Sequence, residues 1–159
     1  MPEREKIKYN NRMNRLLVEQ VRQVLTEPDT LAAICNVTAV IYSETPNINW
    51  AGFYFYKNGE LVLGPFQGKI ACTHIPLGKG VCGSSFQNKL LLNVSDVHEF
   101  PGHIACDSAS NSELVIPLMK ANKAIGVLDI DSPLYNRFEL DEEETFSEIA
   151  RLVSEKLAA

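Results

Sequence analysis

The chain has 159 residues, of which 45% are hydrophobic and 22% charged, as is ordinary for one soluble globular domain. Its net charge of −5 argues against a nucleic-acid surface, and no cluster of Lys and Arg offsets it. No apolar run approaches the roughly 20 residues of a membrane span, and the polar N-terminus has no apolar stretch of the signal-peptide kind. We therefore expect a cytoplasmic protein with no nucleic-acid or membrane partner, whose four cysteines are reduced at rest.

Two helices open the chain. Apolar residues recur at helical spacing from about Tyr9 to Glu27. Pro28-Asp29-Thr30 ends that helix and starts the next, with Asp29 or Thr30 as the N-cap. The second helix, Leu31 to about Ser43, is nearly all apolar, which predicts that it is buried. Cys35 lies within it and is expected to be a core residue, as free cysteines usually are.

A sheet follows the two helices. Trp50 to Tyr56 is rich in strand-forming aromatic residues, and Asn58-Gly59 is a strong signal for a tight hairpin turn into Glu60–Leu63. A third, shorter strand is predicted over Lys69–Leu77, and a fourth over Leu90–Val94.

Between the third and fourth strands the pattern predicts a glycine-rich turn, Gly78–Gly83, and a short helix over Ser84–Gln87. Leu114–Met119 and Ala124–Ile130 then form another hairpin, and an amphipathic helix over Asp141–Leu157 ends the chain. These elements predict an α+β fold in a single domain spanning residues 1–159, with a mostly antiparallel sheet of about six strands between N- and C-terminal helices.

The stretch Asp96–Pro117 is unlike a packed helix or strand, because Pro101-Gly102 and a run of small polar residues favour turns. It contains His98, His103 and Cys106. A long loop inside a compact domain is usually functional, which makes Cys106 a candidate for chemistry. The alternative is a surface loop whose cysteine fills a small gap in the core.

Acidic residues mark a second candidate. Asp129 and Asp131 are two apart on a predicted strand, so both side chains point to one face, and Glu113 precedes the neighbouring strand. Three acids around a pocket suit an ammonium group, or supply one carboxyl with a raised pKa that can donate a proton. The alternative is a strand end that dips into solvent. Trp50 and Tyr54 are four apart and share a face, so they could form one apolar wall.

Other chemistry finds weaker support. No Cys-x-x-Cys pair is present, which argues against thioredoxin-like and zinc-ribbon sites, although a composite zinc site from Cys72, Cys82, Cys106 and His103 stays open. The glycine-rich turn lacks the spacing of a phosphate-binding loop and its terminal Lys-Ser/Thr. We expect no bound metal or cofactor.

Three segments resemble one known family. GPFQGKIACTHIPLGKGVCG, DVHEFPGHIACDSASNSELVIP and IGVLDIDSP together are similar to the free methionine-(R)-sulfoxide reductases, which are built on a GAF domain. The resemblance implies a GAF fold and reduction of free methionine (R)-sulfoxide to methionine. It also implies a homodimer, and regeneration by thioredoxin, which thioredoxin reductase and NADPH keep reduced.

The resemblance assigns roles to individual residues. Cys106 matches the catalytic cysteine, Cys72 the cysteine that closes a disulfide with it, and Cys82 a third, supporting one. The substrate pocket is expected to be lined by Trp50, Tyr54, Ile104, Ala105, Glu113, Asp129 and Asp131.

In the mechanism that this suggests, the thiolate of Cys106 attacks the sulfoxide sulfur while an acid of the cluster protonates the oxygen. A sulfenic acid on Cys106 is then converted to a disulfide. Two rivals stay open: a ligand-binding GAF sensor without catalysis, and a cysteine hydrolase that pairs Cys106 with His98 or His103.

Overall fold

The computed structural model describes residues 1–104 and 106–159. A six-stranded sheet forms its centre, in the order β3-β2-β1-β6-β5-β4, and all five neighbouring pairs are antiparallel. The strands are β1 (Trp50–Lys57), β2 (Glu60–Gly68), β3 (His74–Pro76), β4 (Leu92–Val94), β5 (Ser112–Lys120) and β6 (Lys123–Ser132). The predicted α+β fold with a central antiparallel sheet is confirmed.

In the described residues, four α-helices accompany the sheet. They are α1 (Glu3–Val24), α2 (Thr30–Glu44), α3 (Gly80–Asn88) and α4 (Leu140–Ala158), and a short 3-10 turn covers Val97–Glu99. Asp29 is the N-cap of α2, as predicted, because its side chain accepts a hydrogen bond from the Ala32 N–H at 2.8 Å. Among the described helices, none is both long and apolar enough to cross a membrane.

The two faces of the sheet carry different layers, because successive side chains of a strand point to opposite sides. On one face, Phe53, Leu128 and Ile130 pack with residues of α1, α2 and α4. On the other face, Trp50, Tyr54, Val115 and Val127 pack with Val81 and Phe86 of α3. The three long helices therefore cover one side, and the other side is left to α3 and the long loop.

Several boundaries differ from the sequence pattern. α1 begins at Glu3 rather than Tyr9, since its exposed polar first turns offer no apolar periodicity to read. β2 extends to Gly68, and the predicted strand Lys69–Leu77 is regular only over His74–Pro76. α3 begins at Gly80, not at Ser84, so the glycine-rich segment is partly helical and Cys82 lies on a helix.

The prediction that Cys35 is a core residue is wrong, because its side chain is exposed. The buried residues of α2 are Ala33, Ile34, Val37, Thr38 and Ile41, which follow one stripe of the helix. At 3.6 residues per turn, Cys35 falls outside that stripe. A helix that is apolar on all sides has no polar face to show which side is buried, so the sequence pattern is ambiguous here.

Candidate active site

Strand register brings the three predicted acids together. Glu113 of β5 is directly opposite Asp131 of β6, and Asp131 is opposite Trp50 of β1. Asp129 lies two residues before Asp131, opposite Gly52, and therefore on the same face. Glu113 and Asp129 are 8% and 5% exposed, so the alternative of a strand end dipping into solvent does not hold for these two carboxyl groups.

Burial raises the pKa values of the three carboxyl groups in this cluster. Loss of solvation and the nearby charge of Asp131 raise the pKa of Asp129 from an ordinary value of 3.8 to about 8. Burial and the charge of Asp129 likewise raise the pKa of Glu113, and burial and the charge of Glu113 raise that of Asp131. Protons are therefore held in this cluster at neutral pH, since like charges at close range in a dry site cannot all ionise.

One oxygen of the cluster has no partner. Asp129 Oδ1 is buried and makes no hydrogen bond within the described chain. A buried polar atom left unsatisfied costs free energy, so such an atom in a cleft wall favours a ligand that can donate a hydrogen bond to it.

Cys82 adjoins the acids. It is buried on α3, and its Sγ donates a long hydrogen bond of 4.0 Å to Glu113 Oε2. Burial and the charge of Asp129 raise the pKa of the Cys82 thiol well above its ordinary value. Since the thiolate is the reactive form of a cysteine, Cys82 is held in its less reactive state.

Cys72 and Cys106 are joined in a disulfide, with their Cα atoms 5.6 Å apart. Cys72 lies in the segment between β2 and β3, and Cys106 in the long loop, 34 residues further along the chain. The interpretation of Cys106 as a filler of a core gap is therefore wrong for this state. The composite zinc site is also excluded in this state, because a disulfide offers no thiolates.

Aromatic residues of β1 support the segment that carries Cys72. Tyr54 Oη donates a hydrogen bond to the Cys72 carbonyl at 2.9 Å, and Trp50 Nε1 donates to the Lys69 carbonyl at 3.2 Å. The two rings stack with centroids 5.9 Å apart and are almost fully buried. They form one wall, as their spacing predicts, and they also fix the backbone next to the disulfide.

Asn49 anchors the loop that carries Cys106, and the sequence pattern did not single it out. Its Nδ2 donates to Asp107 Oδ2 and to Ser110 Oγ, each at 3.0 Å. Gly80 at the start of α3 donates its N–H to the Gly102 carbonyl at 3.2 Å. The loop is thus tied to the residue that precedes β1 on one side and to α3 on the other, through contacts between residues far apart in sequence.

A cleft that is partly open to solvent joins these groups. Its walls contain the three acids, the two aromatic residues and two of the three predicted functional cysteines, Cys82 and Cys106. Cys72 is not part of the wall, but its neighbour Ala71 is. Ile104 lines the cleft as predicted, whereas Ala105 lies outside the described residues. Residues that the sequence pattern did not assign also line it, namely Ile70, Lys79, His103, Asp107 and Ser110.

The histidines make contacts that do not resemble a catalytic pair. His98 Nε2 is hydrogen-bonded to Asn111 Oδ1 at 2.9 Å, and His74 Nδ1 to Glu60 Oε1 at 2.8 Å. His103 lines the cleft, where burial and the neighbouring His98 lower its pKa. The cysteine-hydrolase interpretation gains no support from these partners.

One group of side chains has the chemistry of a metal site. Within the described part of the chain, ligand atoms of Cys82, Glu113 and Asp129 lie within 4.8 Å of one another. Glu113 and Asp129 also belong to the acid cluster of the cleft, so the same side chains that could hold a cation can contact an ammonium group.

Comparisons with known proteins agree with this geometry. The model of the GAF domain family matches residues 18–157. The chain is 48% identical over 132 residues to the free methionine-R-sulfoxide reductase of Escherichia coli, covering 83% of this chain and 80% of that protein.

Solved structures give the same result. The free methionine-R-sulfoxide reductase of Staphylococcus aureus in complex with its substrate is 42% identical with a TM-score of 0.85, covering 91% of this chain and 95% of that one. The enzyme of Neisseria meningitidis, also solved with its substrate, is 37% identical with a TM-score of 0.88, covering 91% and 88% of the two chains. The predicted GAF fold and the predicted family are confirmed: this chain belongs to the free methionine-R-sulfoxide reductases, a family built on the GAF domain.

Proposed function

We propose that this protein reduces free L-methionine (R)-S-oxide to L-methionine. Cys106 and Cys72 supply the two electrons as thiols, and thioredoxin, itself reduced by thioredoxin reductase and NADPH, restores them. Family membership supports the reductase activity. The observation that carries the proposal is the Cys72–Cys106 disulfide beside a cleft whose buried acids include an unpartnered oxygen.

The acid cluster supplies the recognition of a free amino acid. Asp129 Oδ1 has no hydrogen-bond donor within the described chain, and an α-ammonium group would provide one. Binding a cation would also favour ionisation of the clustered carboxyls, whose pKa values burial otherwise raises. A methionine sulfoxide residue within a peptide has an amide in place of the ammonium, so it would gain neither contribution.

The chemical steps balance with two thiols and no bound cofactor. The Cys106 thiolate attacks the sulfoxide sulfur, and a protonated carboxyl of the cluster gives its proton to the sulfoxide oxygen. That oxygen passes to the Cys106 sulfur, which becomes a sulfenic acid, and methionine is released. Cys72 then attacks the sulfenic sulfur as its thiol gives up its proton, the S–S bond forms as the S–O bond breaks, and the oxygen leaves with that proton as water.

The environment of each cysteine supports this division of roles. Cys82 is buried among acids that raise the pKa of its thiol, which makes it a slow nucleophile at neutral pH. Cys72 lies on a segment between strands and already bonds to Cys106. We therefore propose Cys72 as the resolving cysteine and Cys82 as a supporting residue of the pocket.

A single-turnover experiment tests the chemistry without any external reductant. The fully reduced protein, freed of dithiothreitol, is mixed with an excess of free methionine (R)-sulfoxide, and methionine, free thiols and disulfide-linked peptides are measured. We expect one methionine per chain, the loss of two thiols, and a peptide that joins Cys72 to Cys106. Cys35→Ser is the matched control, because Cys35 is exposed and should take no part.

The proposed function is overturned if the reduced protein forms no methionine and keeps all its thiols. A disulfide that joins Cys82 to Cys106 instead would move the resolving role to Cys82. We also expect a homodimer and a cytoplasmic location, and light scattering coupled to size-exclusion chromatography tests the first of these.

A further inference from the structure

The charged residues that line the cleft are unevenly distributed. Four of the lining residues are acids, namely Asp107, Glu113, Asp129 and Asp131, while the basic ones are Lys79 and His103. A free amino acid is a zwitterion, and the acids account for its ammonium group alone. Its α-carboxylate would be repelled by the same acids, so binding requires a positive group elsewhere on the wall.

Lys79 has a backbone held in one place. It lies between Gly78 and Gly80, whose φ angles of 75° and 61° are in the region that glycine adopts without strain. The Lys79 N–H donates to the Pro76 carbonyl at 3.2 Å, and the Lys79 carbonyl accepts from the Gly83 N–H at 3.0 Å. The glycine-rich turn therefore fixes where this lysine leaves the backbone, at the rim of the cleft.

The surroundings of Lys79 leave it available for an anion. It is the N-cap residue of α3, where the aligned peptide dipoles give a partial positive charge. Throughout the described chain no carboxylate lies within ion-pair distance of its ammonium group. His103, the other basic residue of the wall, has its pKa lowered by burial and by His98, so it is the weaker source of positive charge at neutral pH.

We propose that Lys79 binds the α-carboxylate of the substrate and, together with the acid cluster, makes the cleft selective for a free amino acid. This inference rests on the proposed function and adds to it a second point of recognition. The ammonium group contacts the buried acids, and the carboxylate contacts Lys79 at the solvent-exposed rim. A substrate that lacks its free carboxylate should therefore bind less well even when its ammonium is intact.

The test measures binding separately from turnover. Cys106→Ser, which cannot react, is combined with Lys79→Met, and calorimetry measures the dissociation constants of free methionine (R)-sulfoxide and of methioninamide (R)-sulfoxide. The amide keeps the ammonium and the sulfoxide but has no negative charge. We expect Lys79→Met to weaken binding of the free acid about fivefold, the upper end for a solvent-exposed ion pair, and to leave binding of the amide unchanged.

Two further variants sharpen the result. Lys79→Arg keeps the charge and should retain most of the affinity for the free acid. Lys89→Met is the matched control, since Lys89 is at the other end of α3, where its Nζ donates to the Asn122 carbonyl at 2.9 Å. It should change neither dissociation constant.

The inference is overturned if Lys79→Met weakens both ligands equally, if it changes neither, or if neither ligand binds at all. The turnover assay of the unmodified protein decides the proposed function independently. Binding of the free acid that depends on Lys79, in a protein that releases no methionine, would support the carboxylate site and refute the reductase.

Discussion

Replacing Asp129 by Asn should remove a loss of stability that the natural protein suffers as the pH rises. Burial and the charge of Asp131 raise the pKa of Asp129 to about 8, against an ordinary value of 3.8. Between these two values the folded protein holds a proton that the unfolded chain has lost. The unfolding free energy of the natural protein therefore falls as the pH rises through this window, and it is highest below the unfolded value.

The size of the change in unfolding free energy follows from the single proton that the folded protein holds on Asp129. Each pH unit inside the window lowers the unfolding free energy by about 1.4 kcal/mol for a single titrating group. From pH 5 to pH 7 the difference between Asp129→Asn and the natural protein should therefore change by about 3 kcal/mol in favour of the variant. Asn has nearly the same shape as Asp and cannot ionise, so this contribution is absent from the variant.

The assay is urea unfolding at pH 5, 6 and 7, followed by the fluorescence of Trp50, the single tryptophan of the chain, which is 3% exposed. The disulfide is kept oxidised throughout. Glu144→Gln is the control, because Glu144 is an exposed acid on α4 and should give a curve parallel to that of the natural protein. Parallel curves for Asp129→Asn and the natural protein would refute the claim that Asp129 holds a proton in the folded state.

Three further predictions concern the site. Cys72→Ser should release about one methionine per chain and then stall, because the sulfenic acid on Cys106 has no resolving thiol to form a disulfide with. Repeated turnover with thioredoxin would contradict this. Asp131→Asn should raise KM for free methionine (R)-sulfoxide by about tenfold or more, because a charge-assisted hydrogen bond to the ammonium group is lost. Circular dichroism should show an intact fold. An unchanged KM would remove Asp131 from substrate recognition. Tyr54→Phe should lower the unfolding free energy by about 1 kcal/mol, because the Cys72 carbonyl loses its donor at 2.9 Å, and an unchanged urea midpoint would contradict it.

The sequence pattern predicted the acid cluster well, because it depends on local rules. Alternation along a strand puts Asp129 and Asp131 on one face whatever the rest of the fold. The short hairpin that joins β5 to β6 then brings Glu113 opposite Asp131. The Asn58-Gly59 turn is a similar case, since both residues adopt the positive φ angles, 53° and 88°, that this pair favours.

Other features depend on tertiary contacts that no local pattern reveals. α3 begins at Gly80, where a hydrogen bond to the Gly102 carbonyl satisfies an N–H at the helix start. Asn49 became part of the site only because the fold places it beside Asp107 and Ser110 of a loop about 60 residues away. Cys35 is a further example. It was expected in the core, but it lies on the side of an apolar helix that the fold leaves exposed.

The central claim is reduction of the free (R) amino acid, and a steady-state assay tests it most directly. NADPH consumption is followed with thioredoxin and thioredoxin reductase, and the protein is offered free methionine (R)-sulfoxide, the (S) epimer and the N-acetylated (R) form. We expect turnover with the free (R) form alone, because the (S) epimer has the opposite configuration at sulfur and the acetylated form lacks the ammonium. Absence of turnover with all three, from protein whose thiols are shown to be reduced, would contradict the account.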